Sequence, residues 1–326
     1  MKKPIKLLMT STQKFSDEKM KAIEDLGYAV DLVPDREPMD PEKIPEYEVV
    51  VCHSLFKFND LHAFTNLKFV HSYATGVEAL PLEELAKTDL MVSKGKALFC
   101  IPMSEWAVCK LLSVYKQSRK FNRQQREHAW QKPTIANGDV LMDELCGKKV
   151  AVLGAGDIAG TLTEILRGFD VHSVVGMNSD GRPVVGYDAM YAPDRLEELL
   201  TDRDIVVILA PLTEKANGLF DDRVIGMMKQ GSILCNLSRG KLVQNDAVVR
   251  ALDSGHLFHF IGDVFENEPL PAESPLWQRE DITITPHNSF ITNMWNPRLY
   301  DLIFNNLKLY AEGKEPGCRV DLTKGY

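Results

Sequence analysis

The feature that most constrains this chain is Gly154-Ala155-Gly156-Asp157-Ile158-Ala159, set between the apolar run KKVAVL and the helical pattern GTLTEILRGF. Two glycines one residue apart at such a junction mark a tight strand-to-helix turn, the opening of a βα unit in a parallel sheet. Gly154 makes the turn, Gly156 lets backbone approach a bound group, and the small Ala159 permits close contact of helix with strand. The amide groups that begin the helix lie at the positive end of its dipole, so the turn suits the pyrophosphate of a dinucleotide. Ala155, Asp157 and Ile158 belong to the same candidate cofactor surface. The competing reading is a glycine turn that only packs well.

The surrounding sequence has the rhythm of such a sheet. KVAVLG, VHSVVGM, DIVVILA, GSILCNLS, HFIGDVF and ITITPH are strand-like runs separated by helical or turn segments. An earlier alternation precedes them: IKLLMTS, then SDEKMKAIEDLG with Ser16 as N-cap and Gly27 as stop, then YAVDLV, VVVCHS, LKFVHS and LMVSKG. The spacing predicts one long helix from Pro102 to about Arg126, carrying the chain from one domain to the next, followed by a loop-like WQKPTIANGD. Leu299, Ile303, Leu307 and Tyr310 form the apolar stripe of a C-terminal helix. The expected fold class is α/β, with two doubly wound parallel-sheet domains.

Composition narrows the function. With 326 residues there is length for two buried cores. A formal net charge of -8 leaves no basic surface for phosphate backbones, which argues against nucleic acid as a partner. No stretch approaches the roughly 20 apolar residues of a membrane span, and the apolar part of MKKPIKLLMTST is too short for a signal-peptide core. The six cysteines, Cys52, Cys100, Cys109, Cys146, Cys235 and Cys318, show neither metal-ligand nor redox spacing. No metal is expected, and a reducing, cytoplasmic setting is.

In a dinucleotide fold the strand after the glycine turn ends in an acid that holds the ribose hydroxyls. Here that strand ends in Met177, Asn178 and Ser179. Without a carboxylate a 2′-phosphate is not repelled, Asn178 and Ser179 would donate to it, and Arg182 would supply charge. NADP(H) is favoured and NAD(H) possible; Asp180 reaching a ribose, or a solvated turn, are the alternatives. Further on, Arg239 in CNLSRGKLV, Asp263 and Glu268 in IGDVFENEPLP, and His287 in ITITPHNSF all stand at strand ends, where ligands of open α/β sheets bind. Singly, each has a bland alternative as a surface ion pair, a loop acid or a structural histidine.

The glycine turn, LSRG, GDVFENEPLP, SPLW and TPHNS in this order, with YATGVE and PLTEKANGLF, resemble the D-2-hydroxyacid dehydrogenases. Within that family the chain is most similar to the glyoxylate/hydroxypyruvate reductase-like members. The resemblance implies a Rossmann dinucleotide-binding domain, residues 102–288, inserted into a flavodoxin-like substrate (lid) domain, residues 1–101 and 289–326. It implies hydride transfer between NADP(H) and a small 2-oxo acid or D-2-hydroxy acid. Arg239, Glu268 and His287 would be catalytic, and Thr75, Gly76, Val77 and Arg239 would bind substrate. Ala210, Pro211, Leu237, Ser238, Arg239, Asp263, His287 and Ser289 would complete the cofactor site. A homodimer is expected, through the nucleotide domain and the helix from Pro102. Departures from the family pattern are Ala159 for glycine, Ala216 for threonine, Glu78 for aspartate, and Phe290 where small residues are common. A formate dehydrogenase is disfavoured because that branch carries glutamine at the position of Glu268. The remaining alternative is a dinucleotide-sensing, corepressor-like protein on the same scaffold.

Overall fold

Short runs of Val, Ile and Leu bounded by Gly, Asp and Ser become strands buried on both faces, as a sheet covered by helices requires. A computed structural model describes residues 3–11, 14–74, 76–135 and 141–322. These runs assemble there into two parallel sheets, one in each of two compact units.

The first unit comprises Met1–Leu98 and Thr292–Tyr326. Its strands are β1 (Ile5–Thr10), β2 (Tyr28–Val33), β3 (Val49–Cys52), β4 (Phe69–Ser72) and β5 (Met91–Ser93), in the order β2-β1-β3-β4-β5. Every pairing is parallel. Helix α1 (Asp17–Asp25) is capped by Ser16, whose side chain accepts from Lys19 N, and stops at Gly27, where φ is +99°. A single helical turn, α2 (Leu82–Leu85), precedes β5.

The second unit, Phe99–Ile291, begins with α3 (Cys100–Tyr115) and α4 (Ser118–Arg126). The single helix expected over 102–126 is therefore two helices. Gln117 takes φ +52°, a left-handed conformation that no glycine or proline announces. The strands are β6 (Lys149–Leu153), β7 (Ser173–Met177), β8 (Ala189–Tyr191), β9 (Ile205–Ile208), β10 (Ser232–Asn236), β11 (Leu257–Gly262) and β12 (Ile282–Ile284). Between them lie α5 (Asp157–Arg167), α6 (Leu196–Leu200), α7 (Asp222–Ile225) and α8 (Asn245–Asp253). The order β12-β11-β10-β9-β6-β7-β8 is again wholly parallel and reverses its direction of winding at β6. A crevice beyond the carboxyl ends of β6 and β9 is the consequence.

Helix α3 lies on α5, where Ser104 Oγ donates to Ile158 O at 3.1 Å and Leu111, Leu162 and Leu166 are fully buried. Each such leucine contributes roughly 1.5–3 kcal/mol of apolar burial. The boundary before α3 falls at 98/99 and that after β12 at 291/292, against 101/102 and 288/289 expected. Phe99 packs edge-on against Phe290 with ring centroids 5.3 Å apart, which keeps both flanking segments with the second unit.

The last helix, α9 (Trp295–Ala311), packs on the first unit. Leu299, Ile303 and Leu307 of the expected stripe are fully buried, and Tyr310 stacks on Phe69 at 5.4 Å. Tyr28 donates its hydroxyl to Leu307 O at 2.7 Å, tying helix to sheet. Among the described residues no helix is long and apolar enough to cross a membrane. Among the described residues no disulfide is formed, and Cys52, Cys100 and Cys235 are buried.

Candidate active site

The glycine turn is built as its sequence requires. Gly154 has φ +100°, and a Cβ there would lie 2.5 Å from Ala210 N, so both conformation and space demand glycine. Its N–H and that of Ala155 donate to Met177 O at 3.1 and 3.0 Å, which binds the turn to the end of β7. Gly156 begins α5, and a Cβ there would meet nothing within 4 Å. Open space at the helix start, where backbone N–H groups are unpaired within the helix, is what a close-lying pyrophosphate needs; Asp157 is exposed in the first turn. Ala159 is fully buried against the sheet. Ser238 Oγ donates to Ala210 O, lacing the end of β10 to that of β9. Leu237 is buried and its N–H donates to Ile208 O; Pro211 is exposed.

At the end of β7 the structure corrects one expectation. Met177 is only 7% exposed and its side chain belongs to the hydrophobic core, so it offers a ligand no side-chain surface. The first residue facing outward is Asn178, followed by exposed Ser179. β7 is buried on both faces, with every residue from Val174 to Met177 buried, so the chain first leaves the core after Met177.

The remaining candidates gather at the ends of β10, β11 and β12. Asn236 shapes the first of these ends: its Nδ2 donates to Arg239 O at 3.0 Å and its Oδ1 accepts from Ser238 N at 3.1 Å. Arg239 is exposed, and its Nη1 donates to Ser238 O at 2.9 Å. The next residue, Gly240, lies so close to the β11 loop that a Cβ would fall 1.8 Å from Phe265 O. That approach sets the backbone after Arg239 directly against the loop that carries Glu268.

Asp263 is 1% exposed and directs its carboxylate into the loop of residues 285–289. Oδ1 accepts from Thr285 Oγ1 at 2.5 Å and Asn288 N at 3.0 Å, and Oδ2 accepts from Ser289 N at 2.9 Å. Its carbonyl accepts from His287 N at 2.8 Å. Expected as a cofactor contact, Asp263 instead spends both carboxylate oxygens on this loop, and Ser289 is itself 4% exposed. His287, at φ +50°, presents its ring from that loop. Glu268 Oε2 lies 2.7 Å from His287 Nδ1, and Glu268 Oε1 accepts from Phe265 N at 3.1 Å. Phe290 meets the imidazole edge-on at 5.9 Å. The ring is therefore held at Nδ1 and along one side.

Residues 108–289 match the family model described as D-isomer specific 2-hydroxyacid dehydrogenase, NAD binding domain. The chain belongs to this family. Among the relatives of this 2-hydroxyacid dehydrogenase is a glyoxylate reductase of Korarchaeum cryptofilum, 26% identical over 259 residues, covering 78% of this chain and 76% of the relative. A mitochondrial formate dehydrogenase of Solanum tuberosum is 28% identical over 281 residues, covering 83% of this chain and 72% of the relative. A crystal structure of a D-isomer specific 2-hydroxyacid dehydrogenase from Xanthobacter autotrophicus, in complex with NADPH and MES, superposes with a TM-score of 0.78. It is 25% identical and covers 99% of this chain and all of the other.

Of the expected substrate residues on the first unit of the dehydrogenase, Thr75 lies outside the described residues. Gly76 follows β4, and a Cβ there would lie 2.1 Å from the carboxylate of Glu78, which folds back over the loop. Val77 is buried. Tyr73 is 2% exposed and donates its hydroxyl to Thr10 O at 2.9 Å, a packing residue of the sheet. Sequence reasoning missed Asn236 and Gly240. The polar residue opening NLSRG and the glycine directly after the arginine were the available signals.

Proposed function

We propose that this 2-hydroxyacid dehydrogenase reduces a small 2-oxo acid of the glyoxylate or hydroxypyruvate type, with NADP(H) preferred over NAD(H). The observation that carries the reading is the His287 Nδ1 to Glu268 Oε2 contact at 2.7 Å, on the same unit as the glycine turn. A bound reduced nicotinamide supplies the hydride for the 2-oxo carbon. Gly154, Ala155 and Gly156 would hold its pyrophosphate at the start of α5, and the absence of an acid at Met177 and Asn178 favours the phosphorylated dinucleotide.

His287 donates a proton from Nε2 to the developing alkoxide, since Nδ1 is engaged by Glu268. Glu268 fixes the tautomer and ring orientation and stabilises the imidazolium. Arg239 pairs with the substrate carboxylate. Asp263 is a positioning residue, acting through the loop that carries His287. A carboxylate at Glu268 supports proton donation over formate oxidation, and the glyoxylate reductase relative points the same way.

The test is a matrix of glyoxylate, hydroxypyruvate, pyruvate and bulkier 2-oxo acids against NADPH and NADH, followed by absorbance. Turnover with a small acid and a higher kcat/KM for NADPH are expected; no oxidation of either cofactor with any acid would overturn the reading. A homodimer through the second unit is part of the proposal. Trp130, Ile135, Leu141 and Met142 expose apolar surface there, beside a cavity of about 620 Å3 that none of the candidate site residues lines.

A further inference from the structure

The turn that leaves β7 is closed on itself. Asn178 Nδ2 donates to Arg182 O at 2.8 Å, Asp180 N donates to Asn178 Oδ1 at 3.3 Å, and Arg182 N donates to Asp180 Oδ1 at 3.3 Å. Both ends of the Asn178 amide are therefore spent on the turn. Gly181, at φ +71° with Ala192 N 3.0 Å from where its Cβ would sit, keeps the turn tight. Across its face the Arg182 guanidinium reaches Asp180 Oδ2 at 2.9 Å. The two side chains are 67% and 54% exposed, and Arg182 holds the carboxyl of Asp180 below its usual range through backbone and side-chain hydrogen bonds.

The turn starts one residue after Met177, whose carbonyl binds the N–H groups of Gly154 and Ala155. One cation and one anion thus stand on a loop that begins beside the expected pyrophosphate site. Chemically they favour opposite ligands: a carboxylate accepts from ribose hydroxyls and repels a 2′-phosphate, whereas a guanidinium binds that phosphate. In this structure each is engaged by the other.

Resting on the dinucleotide reading above, we propose that Asp180 is the internal competitor of a 2′-phosphate for Arg182. The phosphate takes the place of the Asp180 carboxylate on the guanidinium, and Asp180 thereby keeps the preference for NADP(H) modest. Asn178 serves as the clasp of the turn and leaves Ser179 as the neutral donor. An exposed ion pair of this kind is worth no more than about fivefold in an equilibrium constant. Repulsion between Asp180 and the incoming phosphate acts in the same direction.

The test needs no turnover. Calorimetric titration of the full chain with 5′-AMP and with 2′,5′-ADP isolates the 2′-phosphate, in the wild type, Asp180→Asn, Arg182→Met and the double variant. Asp180→Asn should tighten 2′,5′-ADP about two- to fivefold and leave 5′-AMP unchanged. Arg182→Met should weaken 2′,5′-ADP about tenfold or more, again sparing 5′-AMP, and in that background Asp180→Asn should tighten 2′,5′-ADP by less than it does in the wild type, since only the repulsion remains. If Asp180→Asn weakens 5′-AMP, Asp180 holds ribose hydroxyls and the proposal is overturned. Unchanged 2′,5′-ADP binding in both single variants also overturns it, while normal 5′-AMP binding would leave the dinucleotide reading standing. If wild type binds neither compound, that reading fails and the proposal fails with it.

Discussion

His287 holds φ +50°, which costs a residue with a Cβ about 1–2 kcal/mol. It is kept there because Asp263 binds Thr285, His287, Asn288 and Ser289 at once. Local strain over-determined by a buried carboxylate is the pattern of a positioned functional group. If the imidazole is the proton donor, His287→Ala should lower kcat by about 10²- to 10⁴-fold and leave the Kd for NADPH within about twofold. Loss of cofactor binding instead would assign His287 a structural role. Glu268→Gln keeps an acceptor 2.7 Å from Nδ1 but removes the charge that stabilises the imidazolium. Its kcat should fall by roughly ten- to a hundredfold, with the Kd for NADPH within about twofold of the wild type. An unchanged kcat would show that the hydrogen bond to Nδ1, and not the charge of Glu268, is what matters.

Two glycines separate folding from binding at the level of the turns. At Gly240 an alanine Cβ would sit 1.8 Å from a backbone oxygen that has no rotamer to escape into. Gly240→Ala should therefore cost at least about 2 kcal/mol of stability and reduce kcat/KM, because it displaces the backbone next to Arg239 from the Glu268 loop; urea unfolding and kinetics check both. Gly156 meets nothing within 4 Å and has φ -91°, so Gly156→Ala should leave the urea midpoint unchanged. Its Cβ would occupy the open space at the start of α5, and nucleotide affinity should fall about tenfold or more; unaltered affinity would remove the pyrophosphate from that position. The chain's alternation of strands and helices, the Ser16 cap and the Gly154 turn were legible because each rests on local chemistry. The break at Gln117 was not, since a left-handed glutamine carries no composition signal. Nor was the inward turn of Met177, which depends on where β7 ends to within one residue, or the contact at Gly240, which joins segments 25 residues apart.

Each unit of the molecule also buries a histidine that the proposed chemistry does not use. His71 on β4 is fully buried, with Nδ1 3.0 Å from Ser72 O and no partner for Nε2 among the described residues, and burial pushes its pKa down to about 4. His259 on β11 lies with Nε2 2.9 Å from Thr283 Oγ1; burial, aided by the charge of Arg119, lowers it to about 4 as well. Both values lie below the ordinary 6.5, so between about pH 6.5 and pH 4 the unfolded chain binds protons that the folded chain refuses. The stability held by these neutral rings is therefore complete above that window and is lost as pH falls through it. By pH 4.5 the loss is about 2–3 kcal/mol of unfolding free energy for each histidine. Carboxylates held low by their partners, such as Asp281 beside Arg279, lose stabilisation at lower pH and through a different set of groups. Comparison of the wild type with His71→Leu and His259→Gln isolates the histidine contribution, since the carboxylates are common to all. The drop in urea midpoint from pH 7.5 to 4.5 should be smaller in each variant and smallest in the double variant. Equal drops in all four proteins would mean that the two rings take up protons in the folded state as readily as in the unfolded one, and that acid sensitivity resides in the carboxylates.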